Sequence, residues 1–319
     1  MTGMPAGAAG QEHDKLRRLV ERAQQLRPIR TAIAHPCDKV AIESAAEGAR
    51  LKLIEPILVG PEARIREAAA GIDISAFEIV DSEHSHDSAA KAVAQVRAGK
   101  ADALMKGSLH TDEFMAAVVA RETGLRTARR ISHCFVMDVP GHADALIITD
   151  AAVNVAPTLE DKVHIVQNAI DLAKALGVED VRVAILSAME TVNPKIASTV
   201  EAAALCKMAD RGQITGARLD GPLALDNAID PLAAATKKID SPVAGRANVL
   251  VVPDLEAGNM LAKSLSFLAN ADAAGIVLGA RVPIILTSRA DSLLTRLASF
   301  AVALLAAEAR RGRPSAAIQ

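Results

Sequence analysis

Aromatic side chains are almost missing from this chain, which has no tryptophan, no tyrosine and only five phenylalanines among 319 residues. Chemistry that needs a tyrosine as acid or base is therefore excluded, and so is recognition of bases by stacking on aromatic rings. An excess of charge of one sign is missing as well, because 36 Lys and Arg residues face 38 Asp and Glu residues. With a net charge of −2, the chain lacks the basic surface of a nucleic-acid-binding protein.

Cysteine is scarce too. Cys37, Cys134 and Cys206 are far apart and form no C-x-x-C pair, so we expect neither a disulfide framework nor a zinc site, and a reducing cytoplasm fits. The histidines of "HSH", His84 and His86, could bind a metal. Their polar surroundings favour solvated side chains instead.

Long apolar runs are also absent, although half of the residues are hydrophobic. No stretch reaches the ~18 apolar residues that a membrane-spanning helix needs. The N-terminal segment consists of a short lead and a charged helix, without the apolar core of a signal peptide. We therefore expect a cytoplasmic protein that does not enter a membrane.

What the sequence does contain is a regular alternation of strand and helix patterns over its first 130 residues. This rhythm predicts βαβ units and a doubly wound, mainly parallel sheet. The predicted strands are 30–36, 56–60, 77–81 and 101–107, and the predicted helices lie near 38–52, 61–70, 85–98 and 111–121.

The rhythm changes at Ile131, where two apolar segments joined by a Pro-Gly loop predict an antiparallel hairpin. Alternation then resumes. Thr158 with Asp161 predicts a capping box for a helix that ends near Gly177, and Ser198 with Glu201 predicts a second one for a helix that ends at Gly212. Further strands are predicted at 181–188, 248–254 and 282–288.

This order predicts a two-lobed α/β protein with a ligand-binding cleft at the carboxyl ends of its strands. We expect the last strand and helix to return to the first lobe. The predicted domains are 1–130 plus 277–319, and 131–276.

Three segments carry candidate functional residues. In "DGPLALDNAID" the four-residue spacing of Asp226 and Asp230 suits either a divalent metal or a capped turn with solvated acids. In "VVPDLEAGNMLAKSL" a strand ends at Asp254 before a helix. There Gly258 would allow close approach of a ligand to the backbone, and Asn259 supplies a donor and an acceptor.

The third segment is "PIILTSRADSLL", Pro283 to Leu294, in which an apolar strand stops at a hydroxyl and a guanidinium just before a helix. A capped strand-to-helix turn explains this pattern. So does an anion site, because a helix N-terminus offers free N–H groups and partial positive charge.

The block "SPVAGRANVLVVPDLEAGNMLAK" (241–263) resembles the corresponding block of the phosphate acyltransferases, meaning phosphate acetyltransferase and phosphate butyryltransferase. "DGPLALDNAI" and "LTSRADS" follow the family's order and spacing, and the similarity spans about residues 30 to 305. "LMKGSLHT" (104–111) and "RRISHCFVMDV" (129–139) look closer to the butyryl branch.

The resemblance implies the reaction acyl-CoA + phosphate ⇌ acyl phosphate + CoA, with an acetyl or butyryl group. It also implies a fold like that of isocitrate and isopropylmalate dehydrogenases, and a homodimer. No metal or bound cofactor is implied, since CoA and phosphate are substrates.

By motif position the resemblance implies that Ser288 stabilises the transition state and that Arg289 holds phosphate or CoA. It implies that Arg129 or Arg130 binds substrate, without choosing between them. Lys106 and Ser132, in the two butyryl-like motifs, complete the candidate substrate-binding residues together with Asp254, Gly258 and Asn259.

The sequence departs from the acetyl branch at one position. That branch has an aspartate seven residues after the serine as the base for the CoA thiol, and here this residue is Thr295. Asp291 is the nearer candidate base, although its place at the start of a helix suits an N-cap equally.

Two other functions stay open. A metal- and nicotinamide-dependent decarboxylating dehydrogenase shares the fold, but the missing tyrosines and the absence of G-x-G-x-x-G count against it. The second is a non-catalytic acyl-CoA sensor. The presence of the catalytic-motif residues Ser288 and Arg289 argues against it, whereas Thr295 in place of the acetyl-branch base keeps it open.

Overall fold

The computed structural model describes residues 14–287 and 291–311, and within them eleven strands form one sheet. The strands are β1 (Ile29–Ala34), β2 (Ile54–Val59), β3 (Glu78–Val80), β4 (Ala103–Lys106), β5 (Ser132–Asp138), β6 (Leu146–Thr149), β7 (Arg182–Leu186), β8 (Arg218–Leu223), β9 (Val249–Val251), β10 (Asp272–Leu278) and β11 (Ile284–Ile285). Their order across the sheet is β3-β2-β1-β4-β11-β10-β5-β6-β9-β7-β8.

Helices cover both faces of this sheet, which confirms the α/β prediction. They are α1 (Asp14–Ala23), α2 (Lys39–Arg50), α3 (Glu62–Ala68), α4 (Ser85–Arg97), α5 (Thr111–Val119), α6 (Leu159–Ala175), α7 (Ala197–Asp210), α8 (Leu225–Ile229), α9 (Pro231–Thr236), α10 (Leu255–Leu268) and α11 (Leu293–Arg311). No helix in the described part of the chain is both long and apolar enough to cross a bilayer.

The first half of the sheet is parallel, as predicted. β1 pairs with β2 on one side and with β4 on the other, and β11 adds to β4 in the same direction. The last strand therefore does return to the first half. Because the chain leaves β1 toward β2 and comes back on the opposite side at β4, the strand order reverses between β1 and β4. In doubly wound sheets, ligands bind outside the carboxyl ends of the strands at such a point.

The predicted hairpin of β5 and β6 is also present and antiparallel. β10, which the sequence reading missed, runs antiparallel to both β5 and β11. Since β6, β9, β7 and β8 are mutually parallel, they run opposite to β1 and β4. The carboxyl ends of the two halves consequently lie at opposite edges of the sheet.

One predicted capping box is confirmed and one is wrong. Thr158 and Asp161 form the predicted box at the start of α6. Ser198, in contrast, lies inside the first turn of α7 with its Oγ 2.8 Å from Ser187 Oγ, and Glu201 pairs with Lys162. The helix begins at Ala197, too early for a cap at Ser198.

The two faces of the sheet are packed differently. On one face a single apolar cluster runs from side to side and joins α1, α2, α6, α7 and α11 to the strands. On the other face, α4 and α5 cover β1, β2 and β4 with one cluster, and α8 and α10 cover β6 and β9 with another. The division between these clusters lies over β5 and β10, which agrees with a cleft between two lobes. The domain limits themselves stay a prediction.

A buried ion pair fixes α1 against β5. The Nζ of Lys15 lies 2.7 Å from Asp138 Oδ1, and the two side chains are 5% and 0% exposed. Asp138 Oδ2 also accepts hydrogen bonds from the backbone N–H groups of Lys15 and Leu16. A carboxylate at the end of β5 thus binds both the lysine and the free N–H groups of the first helix.

Candidate active site

The carboxyl ends of β1 and β4 meet in a tightly packed corner. The N–H group of Gly107 donates to the carbonyl of Ala34 at 2.8 Å, and a Cβ at Gly107 would lie only 2.5 Å from that carbonyl oxygen. Ser108 Oγ donates to the carbonyl of His35 at 2.7 Å. Glycine is therefore needed at position 107 for the two strand ends to come together.

Lys106 is the last residue of β4 and lies at this corner. Its neighbour Met105 packs into the continuous cluster on the first face, so Lys106 points to the second face, where the cleft is. Its Nζ donates to the carbonyls of Gly107 and Leu109 at 3.2 and 3.3 Å. A cation is thus held at the carboxyl end of the strand that borders the switch point.

The segment after β11 runs beside the same corner. Ile285 pairs with Met105, so the chain continues past Lys106 through Leu286 and the buried Thr287. The two central candidates, Ser288 and Arg289, lie outside the described residues. Their roles stay predictions.

The start of α11 is fixed by Ser292 and Arg296. Ser292 Oγ accepts a hydrogen bond from the N–H of Thr295 at 3.1 Å, so Ser292 caps the helix. The buried Arg296 donates to the carbonyl of Asp291 at 2.5 Å and to Ser44 Oγ of α2 at 3.4 Å. Ser292 thus occupies the N-cap position of α11, and the roles of Asp291 as a cap or as a base stay predictions.

The floor of the cleft contains a buried histidine that sequence reasoning missed. His133 is 1% exposed, and its Nδ1 has no hydrogen-bond partner among the described residues. Burial lowers the pKa of His133 to about 4, partly opposed by the charge of Asp150, so the imidazole is neutral at pH 7. Strand alternation could have found it, since Cys134 faces the other way.

On the far side of the cleft, Asp150 organises the turn that follows β6. Its carboxylate accepts hydrogen bonds from the backbone N–H groups of Ala152, Val153 and Asn154 at 3.0, 3.0 and 3.2 Å. Asn154 Nδ2 donates to the carbonyl of Ile131 at 2.9 Å. In the sequence, this turn is indicated by the polar residues Asp150 and Asn154, which follow the apolar strand in "ITDAAVN".

Arg130 is attached to that turn. Its Nε donates to Asn154 Oδ1 at 2.8 Å, and its Nη1 lies 3.3 Å from Asp161 at the start of α6. The side chain is 53% exposed. Arg130 therefore combines a fixed guanidinium with access from solvent at the edge of the cleft.

Arg129 points elsewhere. Its Nη1 donates to Asp171 at 3.0 Å and to Asn168 at 3.4 Å, both on α6, which packs on the first face of the sheet. Ser132 is fully buried and accepts a hydrogen bond from Asn168 Nδ2 at 2.9 Å. Both arginines contact α6, Arg130 at its first turn and Arg129 further along the helix, but only Arg130 also bonds to the turn after β6. Ser132 lies in the interior.

Asp254, Gly258 and Asn259 hold α10 against the Asp150 turn. Asp254 caps the helix by accepting from Ala257 N–H at 2.8 Å. A Cβ at Gly258 would lie 3.0 Å from the Cα of Ala151, and Asn259 Nδ2 donates to the Ala151 carbonyl at 3.4 Å. The close approach that Gly258 allows is thus to the chain's own backbone, and ligand binding by these residues stays a prediction.

The candidates therefore form two groups. Lys106 and Thr287 lie at the carboxyl end of β4, whereas Arg130, Asp254, Gly258 and Asn259 surround the turn after β6. His133 lies on the sheet between them. Such a pair of walls suits a substrate that is held at both ends.

Asp230 and the three cysteines are further side chains that could bind a metal or act as a nucleophile. Asp230 accepts from the N–H of Leu232 at 2.7 Å and caps α9, which is the capped-turn alternative. Across 14–287 and 291–311, no three His, Cys, Asp or Glu side chains are grouped as a metal site. The cysteines are free thiols, and burial raises the pKa of Cys134 to about 12.

Comparison with known proteins agrees with this architecture. The sequence profile described as "Phosphate acetyl/butaryl transferase" matches residues 82–304. A phosphate acetyltransferase of Rhizobium meliloti is 64% identical over 95% of this chain and 97% of that protein. A probable phosphate butyryltransferase of Bacillus subtilis (strain 168) is 43% identical over 92% and 98% of the two chains.

A solved structure shares the fold. The branched-chain phosphotransacylase from Enterococcus faecalis V583 superposes with a TM-score of 0.77 at 29% identity, covering 88% of this chain and 99% of that one. Neither the decarboxylating dehydrogenase nor the sensor is favoured by these matches. Both acetyltransferases and butyryltransferases match, so the names of the relatives do not identify the acyl group that this chain transfers. The chain belongs to the phosphate acetyl/butyryl transferase family.

Proposed function

We propose that this chain transfers a short acyl group, acetyl or butyryl, between CoA and inorganic phosphate. The observation that carries the proposal is family membership along nearly the whole chain, with the "SRADS" segment intact. The geometry supports it, because Leu286 and Thr287, which precede that segment in the chain, follow β11 next to β4, and β4 ends in Lys106 and borders the switch point of the sheet.

The reaction sets the requirements for the site. A phosphate oxygen attacks the thioester carbonyl carbon, the C–O bond forms, and negative charge develops on the carbonyl oxygen. The C–S bond then breaks and CoA leaves as a thiolate, which takes up a proton. Donors aimed at the developing oxyanion and cations for phosphate are needed; Ser288 would be the former, and Arg289 with Lys106 the latter.

Arg130 rather than Arg129 is our choice for the second substrate arginine. Arg130 is fixed by Asn154 of the turn after β6 and is 53% exposed. The side chain of Arg129 is 36% exposed and, among the residues that the structure describes, bonds only to Asn168 and Asp171. A charge-assisted hydrogen bond contributes about 1.5–3 kcal/mol, equivalent to roughly 10–100-fold in kcat/KM.

We expect Arg130→Gln to lower kcat/KM for phosphate about tenfold more than the matched change Arg129→Gln does. Steady-state kinetics with varied phosphate at saturating acyl-CoA measures both variants. Equal losses, or a greater loss in Arg129→Gln, would reverse the assignment.

Asp291 is the candidate for the missing base, and its contribution has a natural ceiling. A thiol with a pKa of about 8.5 is roughly 3% ionised at pH 7, so full ionisation raises the thiolate population only about 30-fold. We therefore expect Asp291→Asn to slow the CoA-consuming direction by about tenfold or less. We also expect the rate of this direction to rise with pH as the pH approaches the pKa of the bound thiol.

The measurement is a pH–rate profile of wild type and Asp291→Asn from acyl phosphate and CoA. A loss of about a thousandfold, with circular dichroism unchanged, exceeds what thiolate population allows. That result would make Asp291 an obligatory base and our account of Thr295 wrong.

We further propose that catalysis needs no metal and no bound cofactor, since the proposed steps use only serine, arginine and lysine donors. Release of CoA from acetyl-, propionyl- and butyryl-CoA should depend on phosphate and be unchanged by EDTA. Loss of turnover in EDTA, restored by magnesium, would contradict this.

A homodimer in the cytoplasm is our remaining proposal. Along α10, Met260, Phe267 and Leu268 are 63%, 85% and 86% exposed and share one side of the helix. An apolar stripe of this kind supports burial against a second copy. The free cysteines and the CoA thiol suit a reducing compartment.

A further inference from the structure

A cavity lies on the opposite face of the sheet from the proposed catalytic cleft. It has a volume of about 210 Å³ and lies between α6 and the carboxyl-terminal end of α11, next to the segment that leads into β5. Its apolar wall consists of Leu172, Ala175, Leu278, Ala306 and Ala309. An adjoining groove of about 500 Å³ shares Arg129, His164 and Asp171 with it, which gives the cavity a polar entrance.

This cavity is on the other side of the sheet from the cleft. α6 and α11 pack on the first face, whereas Lys106 and His133 point to the second. Along α11, the cavity is at the end that carries Arg310, while the "SRADS" segment precedes the first residue. The 19 residues of that helix span about 28 Å. The cavity is therefore not an extension of the catalytic site.

Arg129 presents an unused edge to this space. Its Nη1 makes the contacts with Asn168 and Asp171, and neither Nε nor Nη2 donates to any described residue. Nε–H and Nη2–H form the side-on edge of a guanidinium, which binds a carboxylate with two parallel hydrogen bonds. The existing ion pair with Asp171 leaves this edge available.

The remaining polar groups of the wall agree with an anionic ligand. Asn168 is 4% exposed, and its Oδ1 accepts a long hydrogen bond of 3.4 Å from Arg129 Nη1. His164 makes no hydrogen bond within the described ranges and lines both spaces. Arg310 lines the cavity, with Nη1 donating to the carbonyls of Ala280 and Arg281. The described lining of the cavity includes two arginines, Arg129 and Arg310, and the carboxylate of Asp171.

We propose that this cavity is a second binding site, separate from the catalytic cleft, for a short-chain aliphatic carboxylate. The carboxylate binds the Nε and Nη2 edge of Arg129, and the aliphatic chain packs against the leucine and alanine wall. A small apolar space with a few fixed polar groups is the usual form of a small-molecule site. The proposal does not depend on the reaction that the chain catalyses.

The site is connected to the cleft by Asn168. Its Nδ2 donates to the carbonyl of Arg130 and to Ser132 Oγ, both at 2.9 Å. A ligand seated on Arg129 and Asn168 therefore contacts the residue that holds the backbone of Arg130.

The test is isothermal titration of the full chain with sodium butyrate in the presence of saturating CoA. We expect one butyrate per chain, with affinity reduced about tenfold or more in Arg129→Gln, because a charge-assisted pair is lost. Ala306→Leu, which fills the cavity without changing charge, should abolish the binding. The exposed Arg121 is outside the cavity, so Arg121→Gln should bind as wild type does. Thermal unfolding establishes that each variant is folded.

Three results would overturn the proposal. Butyrate binding that persists in Ala306→Leu would place it in the catalytic cleft. Inorganic phosphate binding as tightly as butyrate at the Arg129-dependent site would show that the apolar wall makes no contribution. No detectable butyrate binding to the wild-type chain would show that the cavity is not a carboxylate site.

Discussion

Ser288→Ala is expected to lower kcat by about 10²–10³-fold while leaving the affinity for acyl-CoA nearly unchanged. That is the usual loss on removing one donor to a developing oxyanion, because the interaction is made in the transition state and not with bound substrate. Steady-state kinetics gives kcat, and titration with CoA gives the affinity.

Ser292→Ala is the matched control for this experiment. Ser292 caps α11, so its loss should cost about 1 kcal/mol of stability and far less turnover than the loss of Ser288. If Ser288→Ala instead weakens CoA binding and turns over normally, Ser288 is a positioning residue and the proposed mechanism loses its oxyanion donor.

The second large effect is on stability. Asp138→Ala should lower the free energy of unfolding by about 3–5 kcal/mol, because it leaves the Lys15 ammonium buried without its partner. Lys15 is 5% exposed and 2.7 Å from the carboxylate, and two backbone N–H groups lose their acceptor as well. Chemical denaturation followed by circular dichroism measures the difference.

The control is Asp14→Ala, a change in α1, the helix that also carries Lys15. Asp14 pairs with Arg18 at the surface, with both side chains more than half exposed, and such pairs contribute about 0–1 kcal/mol. Equal losses in the two variants would mean that the buried pair has no special role in docking α1 on the sheet.

The regular part of the fold could be predicted from the sequence because its signals are local. Alternating apolar runs and helical patterns located β1 to β4, and the capping letters Thr158 and Asp161 located α6. Ser198 and Glu201 have the same spacing and the same pattern of a hydroxyl followed by a carboxylate, and they do not cap. Glu201 is drawn to Lys162 of a neighbouring helix, and that pairing is set by packing rather than by sequence spacing.

Part of the candidate site could not be found this way, for the same reason. Arg129 and Arg130 are adjacent in the sequence, and only the positions of Asp171 and Asn154 in space distinguish their contacts. Gly258 reads as a glycine for ligand approach, but its neighbour is Ala151, more than a hundred residues away in sequence. His133 was overlooked although strand alternation places it opposite Cys134.

The order of the sheet also depends on long-range contacts. β10 lies between β11 and β5 and is antiparallel to both, so β5 runs in the same direction as β11. The antiparallel pairing of β5 with β6 then reverses the direction of the second half. No local pattern predicts the place of β10, whereas the hairpin that puts the carboxyl ends of the two halves at opposite edges was predicted from its Pro-Gly loop.

The most direct test of acyl transfer to phosphate is phosphorus NMR of the full chain with phosphate and acetyl-CoA or butyryl-CoA. We expect an acyl phosphate resonance to appear with at least one of them, in an amount equal to the CoA released, with no CoA released when phosphate is left out. Release of CoA at the same rate without phosphate, with free carboxylate as the only acyl product, would contradict the account.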